Sequence, residues 1–268
     1  MPEGPEAAYV AAVLQKEFAD RELRSVKFIK GRYVNHGPPA HFSEFHKALP
    51  LKLESVDKKG KVIFFRFSDG WTMISRLGMT GWWYSPSNVP GWRADVRSVE
   101  FDFGAQRVLV YSDPRSYGTL TFTKNPQKDM DDLAPDIMDA STNWMLFSTR
   151  ISGIVKHSPS IPIEELLVDQ KRLVSGIGNY LKSEIMYAAK IAPMRVISKI
   201  TESEWRLLFK ESKRICKAMT RALVSKSEDA YEAQMSVYGK KQDPHGNDVK
   251  TYSNKAKRTV HWVPEIQK

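Results

Sequence analysis

The chain has 268 residues, 41% of them apolar and 11% aromatic, which is enough for about two folded domains and too apolar for a disordered chain. Lys and Arg outnumber Asp and Glu by 41 to 31, a formal net charge of +10 that favours an anionic partner, either nucleic acid or an acidic membrane surface. No apolar run approaches the roughly 20 residues of a spanning helix, and the single cysteine, Cys216, excludes an internal disulfide and any multi-cysteine metal site. The N-terminus lacks the basic-then-apolar pattern of a signal peptide, so the expected location is intracellular, in the nucleus or cytoplasm, and not secreted.

Pro5 and Glu6 precede residues 7–15, where Val10, Val13, Leu14 and Phe18 fall at helical spacing, so a short N-terminal helix is expected with Pro5 near its first turn. From about residue 24 to 123 the pattern changes to short β-rich runs, among them 62–67, 71–75, 99–103 and 108–112. Turn signals such as Asp69-Gly70 and Gly104-Ala105 separate several of them, and an antiparallel β-sandwich or barrel is expected. Residues 124–139, with two prolines and many acids, read as a linker or surface loop. Helical periodicity then dominates, in residues 143–150, 163–170, 179–190 and a longer stretch, 202–225, carrying Trp205, Leu208, Ile215 and Met219. The tail, 236–268, returns to β-like sequence around Asp243-Pro244-His245-Gly246-Asn247. It holds seven Lys or Arg against three acids and reads as a basic hairpin. The expected fold is α+β: an N-terminal β-sandwich with a leading helix over 1–125, a linker at 126–140, and a helical domain with a terminal hairpin over 141–268.

Proline at position 2 has a use beyond punctuation. An initiator methionine followed by a small residue is normally removed, which leaves Pro2 with a free secondary amine. An α-amino group titrates at about 7.7 to 8.0 against about 10.4 for lysine, so at neutral pH it offers on the order of a few hundredfold more free amine. Such an amine attacking C1′ of a deoxyribose expels the base and leaves an iminium, an electron sink for strand-cleaving elimination. The adjacent Glu3 is placed to handle the protons. The plainer alternative is a turn leading into a helix, with Glu6 set against the helix dipole.

Pro2-Glu3-Gly4-Pro5-Glu6 resembles the start of the formamidopyrimidine-DNA glycosylase and endonuclease VIII family, and four further segments resemble it in the right order over nearly the whole chain. In Lys58-Lys59-Gly60-Lys61-Val62-Ile63-Phe64-Phe65 the resemblance makes Lys61 the catalytic lysine beside the phosphates and the N-terminal amine. Residues alone suggest a solvated lysine cluster there. Ser75-Arg76-Leu77-Gly78-Met79-Thr80-Gly81 and Asp113-Pro114-Arg115-Ser116-Tyr117-Gly118 are similar to the family loops that fill the space left by an extruded nucleotide. Met79, Arg115 and Tyr117 take the positions that wedge, pair and stack. Core packing is the competing reading for Met79, and Trp82, Trp83 and Tyr84 are alternative wedges. Val174-Ser175-Gly176-Ile177-Gly178-Asn179-Tyr180, followed by Ser183-Glu184, resembles the family's helix-two-turns-helix motif, and makes Asn179 the phosphate-binding residue at a helix N-terminus.

Many family members end in a hairpin holding zinc through four cysteines. This chain has no cysteine after Cys216, and only His245 and His261 lie in the tail, so no metal site is expected. His36, His41 and His46, five residues apart, read as loop or surface residues. Residues 236–240 and 257–262 resemble the two arms of the terminal hairpin without metal ligands, as in the zincless-finger branch of endonuclease VIII-like enzymes. Arg258 is then implied to reach the phosphate beside the lesion and to assist a second, δ-elimination.

The resemblance thus implies a bifunctional glycosylase and abasic-site lyase on damaged double-stranded DNA, monomeric and needing no cofactor, with DNA between the two halves. Its chemistry rests on Pro2, Glu3, Lys61 and Arg258, and DNA binding on Asn179, Arg115, Met79, Tyr117 and Glu6. Residues 228–235 leave no room for the long glycine-rich loop of the 8-oxoguanine-preferring branch, which favours oxidised pyrimidines and hydantoins as substrates. A non-catalytic DNA-binding protein is the rival reading, and Pro2 with Glu3 is what separates the two. A basic peripheral membrane protein is disfavoured, because no clear basic amphipathic helix is present.

Overall fold

The computed structural model describes residues 2–86, 96–225 and 227–268, the side chain of residue 228 excepted. The chain divides into two compact units, residues 1–2 with 6–131 and residues 3–5 with 132–268.

Helix α1 (Gly4–Phe18), which belongs to the first unit from Glu6 onward, is followed there by strands β1 (Glu22–Leu23) and β2 (Ser25–Phe28), short helices α2 (Arg32–Asn35) and α3 (Phe42–Lys47), and strands β3 (Leu51–Lys59), β4 (Val62–Phe67), β5 (Thr72–Arg76), β6 (Trp82–Tyr84), β7 (Val99–Asp102), β8 (Val108–Ser112) and β9 (Thr119–Thr123). All pairings are antiparallel. The strands form a five-stranded sheet in the order β1-β3-β4-β5-β9 and a four-stranded sheet in the order β2-β7-β8-β6. The sheets share one core, in which Phe65 of β4 lies 4.8 Å from Trp83 of β6 between ring centroids, and Ala7, Val10, Ala11, Leu14 and Phe18 of α1 close it. The helical spacing in residues 7–18 is therefore the stripe that α1 buries.

Strand β4 reads as a continuous apolar run because both its faces are buried. Ile63, Phe65 and Phe67 enter the shared core, and Val62 and Phe64 sit on the outer face. Helix α4 (Gln127–Asp131) is tied to that face by Arg76 to Asp129 at 2.7 Å and Lys59 Nζ to the Met130 carbonyl at 2.7 Å. The segment that the sequence presents as loop thus holds a turn of helix.

The second unit is built on α5 (Trp144–His157), α6 (Ile163–Val168), α7 (Asn179–Ala188), α8 (Glu202–Val224) and α9 (Glu228–Glu232), with hairpin strands β10 (Lys250–Ser253) and β11 (Thr259–Trp262). Asn143 caps α5 through Leu146 N. Thr201 and Glu204 form a capping box at α8, whose buried Trp205, Leu208, Ile215 and Met219 are the periodic residues of the sequence. The hairpin differs from expectation. Residues 236–240 are not an arm of it, and its turn is 254–258. The Asp243 carboxylate explains the difference, because it accepts from His245 N, Asn247 N, Asn247 Nδ2 and the Tyr187 hydroxyl, making 243–247 a separate turn. Among the described residues no helix is long and apolar enough to cross a membrane. His36, His41 and His46 are exposed.

Candidate functional site

The N-terminal peptide is fixed from residue 3. Glu3 is fully buried. Its Oε2 accepts from Gly178 N at 2.6 Å and Leu181 N at 3.3 Å, and its Oε1 accepts from Tyr180 N at 3.0 Å. Gly4 N donates to the Gly176 carbonyl at 2.9 Å. A Cβ on Gly4 would meet that carbonyl oxygen at 3.1 Å, so a larger residue there would have to push the two backbones slightly apart. The anion held at the start of α7 is therefore the protein's own carboxylate, placed where N–H groups and the helix dipole favour negative charge. Pro2, also buried, immediately precedes this anchor, and Met1 lies outside the described residues.

Of the amides at this turn and the start of α7, Gly178 N, Tyr180 N and Leu181 N are thus taken by Glu3, and Gly176 N donates to Gln170 Oε1 at 2.9 Å. Asn179 keeps its side chain for other work. Its Nδ2 donates to the Thr259 carbonyl at 3.0 Å with one of two hydrogens, and its Oδ1 is buried without a hydrogen-bond partner among the described residues. The bond reaches the residue after Arg258, so Asn179 and the hairpin tip are brought together. Arg258 is exposed at that tip.

Helix α7 also holds the rest of the tail. Glu184 accepts from Ser236 N, Val237 N and Tyr238 N at 2.8, 3.0 and 2.8 Å. Burial pushes the Glu184 carboxyl up, against the pull of those donors. Burial and the neighbouring Asp243 push the Tyr187 hydroxyl up to about 12, so it stays protonated and donates. Burial, with the nearby Lys182 charge, lowers the His261 imidazole and favours its neutral form.

In the first unit Lys61 is the second residue of a two-residue hairpin between β3 and β4, where Lys59 pairs with Val62. Gly60, at φ 61°, makes the turn possible. Glu6 is buried near the start of α1.

Two loops carry Met79, Arg115 and Tyr117, and they touch. Gly78 sits at φ 61°, and a Cβ there would lie 2.7 Å from both the Tyr117 carbonyl carbon and Gly118 N. Buried Asp113 latches the pair, accepting from Thr80 Oγ1 at 2.7 Å across the gap and from Gly118 N at 2.6 Å within its own loop. Ser98 Oγ accepts from Asp113 N at 2.9 Å. The latch presents Met79 at 43% and Tyr117 at 53% exposure, with the Arg115 guanidinium 4.9 Å from the Tyr117 ring centroid. Trp82, Trp83 and Tyr84 are buried core residues of β6 and cannot serve as wedges. Met79 is too exposed for its core-packing alternative. The role of Asp113 escaped the sequence reading, which took the segment for its Arg and aromatic; the Asp-Pro turn signal marks a bend without naming its partners.

Residues 1–120 match the formamidopyrimidine-DNA glycosylase N-terminal domain, 133–230 the H2TH domain of the same glycosylases, and 227–268 their C-terminal domain. A formamidopyrimidine-DNA glycosylase of Streptococcus agalactiae serotype III (strain NEM316) is 33% identical over 221 residues, 80% of this chain and 76% of that protein. One from Bdellovibrio bacteriovorus is 27% identical over 282 residues, with both chains covered in full. Among solved structures, the Lactococcus lactis formamidopyrimidine-DNA glycosylase non-covalently bound to DNA containing an AP site has a TM-score of 0.81 at 23% identity over 99% of each chain. The wild-type Lactococcus lactis protein with DNA containing an oxidized pyrimidine has a TM-score of 0.81 at 23% identity over 100% of each chain. At that identity the likeness is one of fold.

Proposed function

This chain belongs to the formamidopyrimidine-DNA glycosylase family, and on that premise we propose that it excises oxidised bases from damaged DNA and then cleaves the strand. In this reading the Pro2 nitrogen lone pair forms a bond to C1′, and the base leaves with the glycosidic electron pair and a proton. Opening of the C1′–O4′ bond gives an iminium. Loss of a C2′ proton expels the 3′-phosphate, and a further proton loss expels the 5′-phosphate, which is β,δ-elimination. Water then hydrolyses the iminium and returns free Pro2.

Glu3 carries protons to and from the sugar, and Lys61 and Arg258 offset phosphate charge as the phosphates leave. Asn179 binds phosphate with its remaining N–H. Met79, Arg115 and Tyr117 fill the gap left by the flipped nucleotide, and Glu6 supports the N-terminal end of α1 on the lesion side. Oxidised pyrimidines and hydantoins are the proposed substrates. Residues 228–235 support this choice, being glycine-free, with 228–232 helical in α9.

The observation that carries the reading is the anchoring of residue 3. Three amide bonds to one carboxylate fix the peptide directly behind Pro2, an anchor that a pure DNA binder does not need. The test is borohydride trapping on a duplex with an abasic site or thymine glycol, using Met1-processed protein, Pro2→Gly and a form extended at the N-terminus. A covalent adduct from the processed wild type alone is expected. Tight duplex binding with no adduct on either substrate would replace the lyase with a non-catalytic binder.

A further inference from the structure

We propose that the buried Lys182–Glu164 pair is a positioning device for Arg258 and acts through the side chain of Asn254. The proposal rests on the reading of Arg258 given above. The Lys182 and Glu164 side chains are 0% and 3% exposed, in a core that includes Ile163, Leu166, Leu167, Leu181 and Ile185. Desolvating two charges in such a place costs about as much as their attraction returns, and an apolar pair often does as well. Stability alone is therefore a poor reason for the pair.

Its other contact supplies a reason. Glu164 Oε2, which takes the Lys182 ammonium, also accepts from Asn254 Nδ2 at 3.1 Å. Asn254 opens the hairpin turn and closes it as well: its Oδ1 accepts from Arg258 N at 2.9 Å, and its own N donates to the Arg258 carbonyl at 3.0 Å. Its carbonyl accepts from Lys257 N at 2.9 Å, in a turn that needs Lys257 at φ 55°. One amide side chain thus joins a buried, charge-fixed oxygen to the backbone of Arg258. On the far side, Asn179 Nδ2 holds the Thr259 carbonyl. The Arg258 backbone is bracketed by two asparagines, each rooted in the helical part of the unit, while residues 255–257 between them are exposed. Without the Asn254 tie the exposed turn is free to relax, and the Arg258 backbone from which the guanidinium extends loses its fixed position.

Asn254→Ala, Arg258→Ala and the double variant would be compared on an abasic-site duplex, scoring the ratio of δ- to β-elimination products beside the rate of borohydride trapping. Asn254→Ala is expected to lower the ratio by about ten- to a hundredfold, with trapping within about twofold of wild type, since misplacing a group by an ångström has effects of that size. The double variant is expected to be no worse than Arg258→Ala, because both changes remove one function. Asn254→Asp, which sets a carboxylate against Glu164, is expected to behave like Asn254→Ala, and Glu164→Gln added to it is expected to restore the ratio. A wild-type ratio in Asn254→Ala beside a lowered one in Arg258→Ala would overturn the positioning role alone. Trapping that falls in step with the ratio in Asn254→Ala would overturn it in favour of general damage to the fold. A wild-type ratio in Arg258→Ala, or no adduct from the wild type, would overturn the reading of the site and this proposal with it.

Discussion

At the scale of single residues, the N-terminus is organised by one carboxylate doing two things. Glu3 neutralises three N–H groups at the head of α7 and thereby sets the residue behind the proposed nucleophile. Glu3→Gln is isosteric yet wrong for this place, because its NH2 must face at least one of those donors. Leaving buried donors unsatisfied costs about 1–3 kcal/mol, and the urea midpoint of Glu3→Gln is expected to fall accordingly at unchanged m-value. Trapping of Pro2 is expected to fall with it. An unchanged midpoint would mean that the carboxylate does not cap α7 in solution. Asp113 is the corresponding organiser in the first unit, where one side chain holds two loops from opposite sides.

Elements decide how these residues are shown to a ligand. The loops after β5 and β8 have no regular structure of their own, so their shape comes from contact with each other and from the Asp113 latch. Gly78 is where the contact is closest. A side chain there pays about 1–2 kcal/mol for left-handed backbone and also pushes on Tyr117 and Gly118. Gly78→Ala is therefore expected to lower the thermal midpoint and to weaken binding to a lesion duplex more than to an undamaged one. Equal weakening on both duplexes would remove these loops from lesion recognition. In the second unit, helix α7 fixes the tail along its length: Asn179 on Thr259, Lys182 through Glu164 on Asn254, Glu184 on residues 236–238 and Tyr187 on Asp243. The tail and its hairpin are held by side-chain hydrogen bonds to a buried helix.

For the whole molecule the governing quantity is charge. A net charge of +10 predicts DNA affinity that falls steeply with salt, since each neutralised phosphate releases counterions. If Arg258 meets a phosphate, Arg258→Ala is expected to reduce the slope of log Kobs against log salt by about 0.9 and to weaken binding similarly across sequences. Fluorescence anisotropy between low and moderate salt measures this. An unchanged slope would show that Arg258 touches no phosphate.

Local periodicity was sufficient wherever an element buries one clear face. The stripe of α1 and the long amphipathic α8 were legible because side chains three to four apart share an environment whatever lies opposite, while β4 and β8, buried on both faces, were legible as short continuous apolar runs. Candidate chemistry could be named from residue type at a fixed place, as with Pro2 and the acid beside it, and it remains part of the proposal. The sequence had no means of specifying partners far apart in the chain. Glu3 with residues 178–181, Thr80 with Asp113, and Glu164 with Lys182 and Asn254 are side-chain bonds closed by packing, and nothing local to either partner announces the other. The same cause moved the hairpin arms: Asp243 and Glu184 fix residues 236–247 by bonds to α7 and within the turn, and only the assembled tertiary structure leaves 250–253 and 259–262 to pair. The sequence therefore determined most of the elements and the kinds of side chain on them, and the tertiary structure decided which segments pair and which groups are held still, since orientation is set by buried hydrogen bonds whose donors and acceptors meet only in the folded chain.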